Sequence, residues 1–281
     1  MATELRFGLL GLLEVRRGDV PIPLAAGRQR ALLAALLLRA GQVVPTGELI
    51  EVLWEDQPPP TARAGLHNYV CRLRRTLADC RHEQIVACPQ GYLIRVGRGA
   101  LDVTTFEVLL GEARAAARQR SWAVAAEQAR TALALWRGEP LADTGSHMLV
   151  SREAPRLIEL RLQALEIAAD AGLRLGQHAR LIGELRRLVA GYPLHERLYA
   201  LLMLALYCDG RQAEALAVYQ DAYRVLAGEL GIEPGPELRE LHQQILTSDP
   251  ALAPARSSQP AAAGTSAATW SWPEVALITG P

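Results

Sequence analysis

Apolar and polar positions change their period several times along this chain, and each change marks an element. From Glu4 to Leu24 they alternate and break at Gly8, Gly11 and Gly18-Asp19, which predicts three short strands over 4–9, 12–16 and 20–24. Arg28 to Ala40 is almost continuous in Ala and Leu and ends at Gly41, the pattern of a buried helix stopped by glycine. Its apolar run Ala31–Leu38 lies between Arg30 and Arg39 and is too short to span a bilayer. Thr46 to Trp54 predicts a second helix with Leu49, Val52 and Leu53 inward and Trp54 as a core plug. Pro58-Pro59-Pro60 then forces an extended linker, because each proline disfavours helix in the residue before it. Over 61–78, Leu66, Val70, Leu73 and Leu77 fall at i, i+4, i+7 and i+11, one narrow apolar stripe, with Thr61 placed as its N-cap. Two β runs follow, 84–88 and 92–96, joined by Pro89-Gln90-Gly91 with the glycine where a positive φ is expected.

Beyond residue 99 the period is helical throughout, over about 102–118, 120–136, 150–174, 177–190, 194–208, 211–229 and 234–247. Small residues recur in Ala113–Ala117 and Ala123–Ala126, where antiparallel helices would cross closely, and Gly176, Gly191 and Gly210 fall between helices as stops. Arg197 to Tyr219 reads as helix, short turn and helix with Ala at regular positions, the way a tetratricopeptide unit is written, and a weaker copy runs from Leu160 to Leu188. Such pairs stack into a short array whose concave face can take a partner. The fold class is therefore an α+β winged helix-turn-helix domain followed by an all-α TPR-like helical array. The domain reading is 1–98, 99–248, a disordered Ala/Pro/Ser-rich linker over 249–269, and 270–281 as the start of a further domain.

Charge sharpens this picture. The net charge is zero, yet residues 1–98 carry 13 Arg against 9 acidic residues, and between Arg63 and Arg98 seven Arg face two acids. All 30 basic residues are Arg. On the 61–78 helix the face opposite the apolar stripe holds Ala64, Asn68, Cys71 and Arg75, with His67, Arg72 and Arg74 on its shoulders. Amide and guanidinium donors separated by small residues are the groups that pair with adenine, guanine and phosphate in a DNA major groove. Asn68, Cys71, Arg72 and Arg75 are expected at the groove floor, and Arg63, His67, Arg74 and Arg95 at phosphates. His67 reads equally well as an ordinary exposed residue, Cys71 as a small residue that lets the backbone approach, and Tyr69 as packing at the core edge. Cysteines at 71, 80, 88 and 208 show no zinc spacing and point to a reducing cytosol, and no signal peptide or membrane span is written.

The segments Arg28–Gly41, Leu49–Trp54, Tyr69–Arg75 and Pro89–Leu93 resemble the Streptomyces antibiotic regulatory protein (SARP) family, and Trp136-Arg-Gly138, Leu141-Ala-Asp143 and Glu229–Leu238 resemble the bacterial transcriptional activator domain that follows the winged helix there. The resemblance implies a winged helix of the response-regulator (phosphorelay) output type whose third helix reads bases and whose wing holds the backbone. It implies tandem protomers on direct repeats beside a promoter −35 region, a homodimer on DNA, and contact with RNA polymerase holoenzyme through a sigma factor. It implies control of a secondary-metabolite (antibiotic) gene cluster. Two departures stand out: Pro45 occupies the place of a helix-capping Ser, which puts the start of the second helix in question, and His67, Asn68 and Cys71 sit at variable reading positions.

Other function classes fit less well. There is no nucleophile elbow, no HExxH, no complete P-loop and no cofactor motif, so an enzyme is not indicated. His147, His178, His195 and His242 are scattered on helices or turns, where the default is a surface residue. Glu274 to Pro281 reads either as the strand and glycine that open a truncated ATPase domain or as a bland apolar tail. The competing reading is an interaction scaffold that uses the helical array and carries a degenerate DNA-binding domain.

Overall fold

The computed structural model describes residues 5–25 and 27–252, so the expectations for 270–281, and all but the start of those for the 249–269 linker, lie outside the described residues. The described chain divides into two compact units that do not follow chain order. One comprises the residues up to Leu109 together with Ala134–Leu162; the other comprises Leu110–Leu133 together with the residues from Gln163 onward.

The first unit opens with β1 (Leu5–Gly8), β2 (Glu14–Arg17) and β3 (Val20–Pro21), an antiparallel sheet in that order. Phe7 and Val15 face each other in register and both point into the core. Then come α1 (Arg28–Leu38), β4 (Val44–Pro45), α2 (Thr46–Trp54), α3 (Ala62–Thr76), β5 (Ile85–Cys88) and β6 (Gly91–Ile94). α1 is buried on nearly every side, as its unbroken Ala/Leu content demands. Side chains fasten it to its neighbours: Arg28 Nε donates to the Leu53 carbonyl at 2.9 Å, and Gln29 Nε2 donates to Thr76 Oγ1 at 3.3 Å. Three helices against the sheet β4-β6-β5 make the winged helix. The two-residue strand β4 carries no sequence period and was not foreseen.

Pro45 does not displace α2, which begins at Thr46; the Thr46 N–H left without a capping side chain donates to the Gln90 carbonyl at 2.9 Å. Thr61, expected as a cap, stands at the N-cap of α3 but makes no side-chain cap bond. Gly91 does not adopt a positive φ. Its glycine is demanded by close approach, since a Cβ there would overlap the Val44 carbonyl oxygen and lie 2.8 Å from the Val44 carbonyl carbon.

Residues 134–162 complete this unit. α4 (Asp102–Arg118) starts with Asp102, whose carboxylate accepts the Leu9 N–H at 2.8 Å and the Leu10 N–H at 3.0 Å. Burial pushes its pKa above the usual range, against the pull of the Leu9 and Leu10 N–H groups and Arg137. Trp136 is buried edge-on against Phe106 at 5.6 Å, with the Arg161 guanidinium 5.0 Å from its ring centre. The Arg137 N–H donates to the Leu10 carbonyl at 2.7 Å, and its guanidinium lies 3.1 Å from Asp102. Asp143 accepts the Leu13 N–H at 2.9 Å and pairs with Arg30. Thr144 is wholly buried and donates to the Leu141 carbonyl, and the N–H of Met148, in the first turn of α6 (His147–Arg174), donates to Glu55 Oε1 at 3.1 Å. A strap of chain, residues 134–146, is thus sewn to the loop after β1 and to α1.

The second unit is helical: the later turns of α4, α5 (Trp122–Leu133), the later turns of α6, α7 (His178–Gly191), α8 (Glu196–Cys208), α9 (Gln212–Leu230) and α10 (Pro236–Leu246). Of the small residues foreseen as crossing points, Ala116, Ala125 and Ala126 form a cluster with Ala171, and Trp122 and Ile167 pack on it. α8 packs on both α7 and α9, its neighbours in the chain. Gly231, at φ 68°, closes α9 with its N–H on the Ala227 carbonyl, and Pro236 opens α10 at a position where no N–H is needed. No helix among the described residues is long and apolar enough to cross a membrane.

Two of the histidines are packed rather than loose on the surface: His195 Nε2 lies 2.6 Å from Glu166 Oε1, and His242 is stacked on Tyr219 at 3.8 Å. Desolvation holds the His242 pKa below its ordinary value. The unfolded chain therefore binds that proton more readily, so the stability it supports is present above about pH 6.5 and is lost as pH falls from there through the lower pKa of the folded state. His242→Phe keeps the stack and is expected to flatten the fall in thermal midpoint between pH 7 and pH 5; an unchanged slope would remove His242 as its source.

Candidate nucleic-acid interface

The candidate interface centres on α3. Its buried side, Ala62, Leu66, Val70 and Leu73, packs against α1 and α2, and that fixes which side faces water. Arg63, Ala64, His67, Asn68, Arg72 and Arg75 are exposed, with Cys71 half-buried among them. This is a row of donors along one helix with small residues between them, as the sequence implied. Among the described residues no group of three or more His, Cys, Asp and Glu is arranged to hold a metal ion.

Aromatic rings underlie one flank of the row. Tyr69 meets Trp54 edge-on at 6.2 Å, the Arg28 guanidinium lies 5.5 Å from the Trp54 ring, and the Arg72 guanidinium lies 5.8 Å from the Tyr69 ring. Gly65 leaves the room for this arrangement, since a Cβ there would sit 3.0 Å from Trp54. Trp54 is half-buried and serves as a platform beside α3 rather than as an enclosed core plug. Stacking of this kind restricts the Arg72 side chain before any partner arrives.

His67 is exposed, but both of its ring nitrogens have neighbours: Cys71 Sγ at 3.6 Å and the Tyr92 hydroxyl at 3.5 Å. Tyr92 lies on β6, so the middle of α3 touches the wing. The hairpin tip is the exposed pair Pro89-Gln90, and Cys88 pairs with Gly91 across it. Arg95 is exposed at the opposite, open end of the hairpin, where its N–H donates to the Gln84 carbonyl at 2.8 Å.

Arg74 departs from expectation. It is 8% exposed, and its Nε and Nη2 donate to the Ile85 carbonyl at 3.1 and 2.7 Å. On the helical wheel it sits at the border of the apolar stripe, and the wing's first strand closes over it. It is not available to a phosphate. The sequence reading also missed Asp79, which is 8% exposed and accepts three backbone N–H groups, those of Glu83, Gln84 and Ile85. An aspartate between a helix end and a strand is a signal for such a turn. Nor did the sequence reading single out Tyr92, which meets His67, or Gln90, whose carbonyl accepts the Thr46 N–H.

Comparisons with known proteins bear on both units. Residues 101–246 match the model of the bacterial transcriptional activator domain, and residues 22–94 match that of the transcriptional regulatory protein C-terminal domain. The chain is 35% identical over 267 residues to the regulatory protein DnrI of Streptomyces peucetius, covering 92% of this chain and 98% of that one. It is 46% identical over 250 residues to the regulatory protein AfsR of Streptomyces coelicolor, covering 89% of this chain and 25% of AfsR, so it spans about a quarter of that relative's length. Among solved structures, Mycobacterium tuberculosis EmbR in complex with a low affinity phosphopeptide superposes with a TM-score of 0.84 at 35% identity, over 88% of this chain and 66% of EmbR.

Proposed function

Because the chain belongs to the Streptomyces antibiotic regulatory protein (SARP) family of transcriptional activators, we propose that it binds direct repeats beside a promoter −35 region and recruits RNA polymerase to a secondary-metabolite gene cluster. The observation that carries this is the solvent-facing row of α3, which offers Asn68, Arg72 and Arg75 over Ala64 and Cys71 on a helix whose other side is fixed in the core. Asn68 pairs with adenine and the two arginines with guanine. Arg63 and His67 take phosphates on the flanks, and Arg95 takes one near the end of the helix that Arg74 fastens to Ile85.

One such helix per chain reads one repeat, so two copies bind in tandem as a dimer formed on DNA. The helical unit, with its TPR-like pair α8 and α9, supplies the surface for polymerase holoenzyme and its sigma factor.

The test is a footprint of the whole chain on the promoters flanking its own gene. Two protected repeats one helical turn apart, or a multiple of it, are expected. Arg72→Ala and Arg75→Ala should each weaken binding by about 1–3 kcal/mol and relax base preference at one position. Arg63→Ala should weaken binding evenly across sequences and lower the salt slope by about one unit. Equal retardation of promoter DNA by wild-type and Arg72→Ala protein would overturn the reading, and partner capture without any footprint would favour a protein scaffold.

A further inference from the structure

The eight residues between α3 and β5, 77–84, form no helix or strand, and Ala78 and His82 within them hold left-handed backbone at φ 49° and 56°. Such a segment would ordinarily leave the following hairpin loosely hung from the helix. Here it is fastened from the helix side at each end. The Asp79 N–H donates to the Arg74 carbonyl at 2.8 Å, which turns the chain sharply as α3 ends. The Asp79 carboxylate then gathers the N–H groups of Glu83 and Gln84 on Oδ1, at 2.9 and 3.2 Å, and of Ile85 on Oδ2, at 2.9 Å. Arg74 takes the carbonyl of the same Ile85 with two nitrogens. The peptide groups on both sides of Ile85 are therefore held by two buried side chains, Arg74 in the last turn of α3 and Asp79 just beyond it. Charge-assisted bonds in a buried setting are the strong ones, and their geometry is hard to deform.

The opposite flank of the wing is equally closed. β6 pairs with β4, and at Gly91 the two strands approach too closely for a Cβ. The hairpin tip accepts the Thr46 N–H at the start of α2. Between these, Tyr92 meets His67 in the middle of α3.

We propose that Arg74 and Asp79 are positioning residues that set the wing against the reading helix, so that the base-reading contact and the wing contact reach DNA as one preformed unit. This rests on the DNA-binding reading above. Neither residue touches DNA. Their effect is to spare the complex the ordering of the wing at the moment of binding, a cost that otherwise comes out of the affinity. Loosening the pair releases the β5 side of the wing and leaves the exposed row of α3 intact, because that row is fixed by Leu66, Val70 and Leu73.

The experiment compares the full-length chain with Arg74→Met, Arg74→Lys and Asp79→Asn on the same promoter fragment, by binding titration and by two footprints. Methylation protection of guanine N7 reports α3 in the major groove, and hydroxyl-radical protection of the flanking backbone reports the wing. Arg74→Met is expected to keep the guanine protection, lose the flanking backbone protection and weaken binding about tenfold, or about 1.4 kcal/mol. Arg74→Lys, which restores one donor to the Ile85 carbonyl, should recover part of the lost protection. A general loss of structure would weaken both protections together, so the split separates positioning from folding. If Arg74→Met fails to give the wild-type unfolding transition, Asp79→Asn is judged by the same split. Both protections fading in parallel, or neither changing, would overturn the proposal. A wild-type chain that leaves no footprint would instead overturn the DNA-binding reading itself, and this inference with it.

Discussion

A chain that ends at Leu109 is expected to show no cooperative unfolding transition, although it would contain every residue of the winged helix, α3 included. The reason lies in the strap and the first turns of α6. Ending at Leu109 removes Trp136, Leu141, Leu149 and Leu157, all buried in the first unit, and uncovers Phe106. Burying each such side chain stabilises by roughly 1.5–3 kcal/mol, so four of them approach the whole stability of an ordinary domain, about 5–15 kcal/mol. Polar losses add to this. The Leu13 N–H and Arg30 lose Asp143, the Leu10 carbonyl loses the Arg137 N–H, and the buried Asp102 carboxylate loses its arginine. In the full chain, Asp143→Ala isolates one part of the effect: an uncovered N–H and an unpaired guanidinium should cost about 2–3 kcal/mol. That lowers the thermal midpoint by roughly 5–10 °C. Near-ultraviolet dichroism and a thermal scan check both. A shortened chain that melts as sharply as the full one would show that the strap is dispensable.

The second large effect is expected at Gly91. Gly91→Ala places a methyl group inside the Val44 carbonyl, and the neighbouring backbone has nowhere to retreat, because β4 runs directly into α2 and Thr46 is bonded to Gln90. Relief requires β6 to part from β4. The expected cost is about 3 kcal/mol or more, in the range of severe overpacking, together with loss of DNA affinity although no residue of α3 has changed. Gly47→Ala is the matched control. Gly47 sits in α2 with open space around its Cα, so alanine there should be neutral or stabilising by up to about 1 kcal/mol through helix propensity. Equal behaviour of the two variants in a denaturant titration would contradict the close approach at Gly91.

What could be read from the chain beforehand was whatever a local period writes. The helices over 28–38, 46–54, 62–76 and 102–118 lie almost where the apolar stripes put them, and the exposed row of α3 follows from the positions of Leu66, Val70 and Leu73. What was misread depended on partners distant in sequence. Arg74 sits on the border of its stripe, and only the Ile85 carbonyl eleven residues later decides that it turns inward. Gly91 looks like a turn residue, and its real constraint comes from Val44, which a two-residue strand brings alongside without any pattern of its own. Asp143 was noticed only as part of a family marker, and nothing near it in the chain reports a bond to Leu13, 130 residues upstream. The phosphate expected at Arg95 lies with the open end of the hairpin, a place that the strand register decides and charge alone does not reveal.

The interleaving of the two units also sets an order of events during synthesis. α3 leaves the ribosome early, but the unit that carries it is not complete until Leu162 has emerged. At about 5–20 residues per second, the stretch from 110 to 162 takes roughly 3–10 s to make. Through that interval α3 exists without the strap that its unit requires. A nascent or prematurely terminated product therefore carries the exposed row of α3 without the packed unit that holds it in place. That packed unit is complete only after a large part of the region matching the bacterial transcriptional activator domain has been translated.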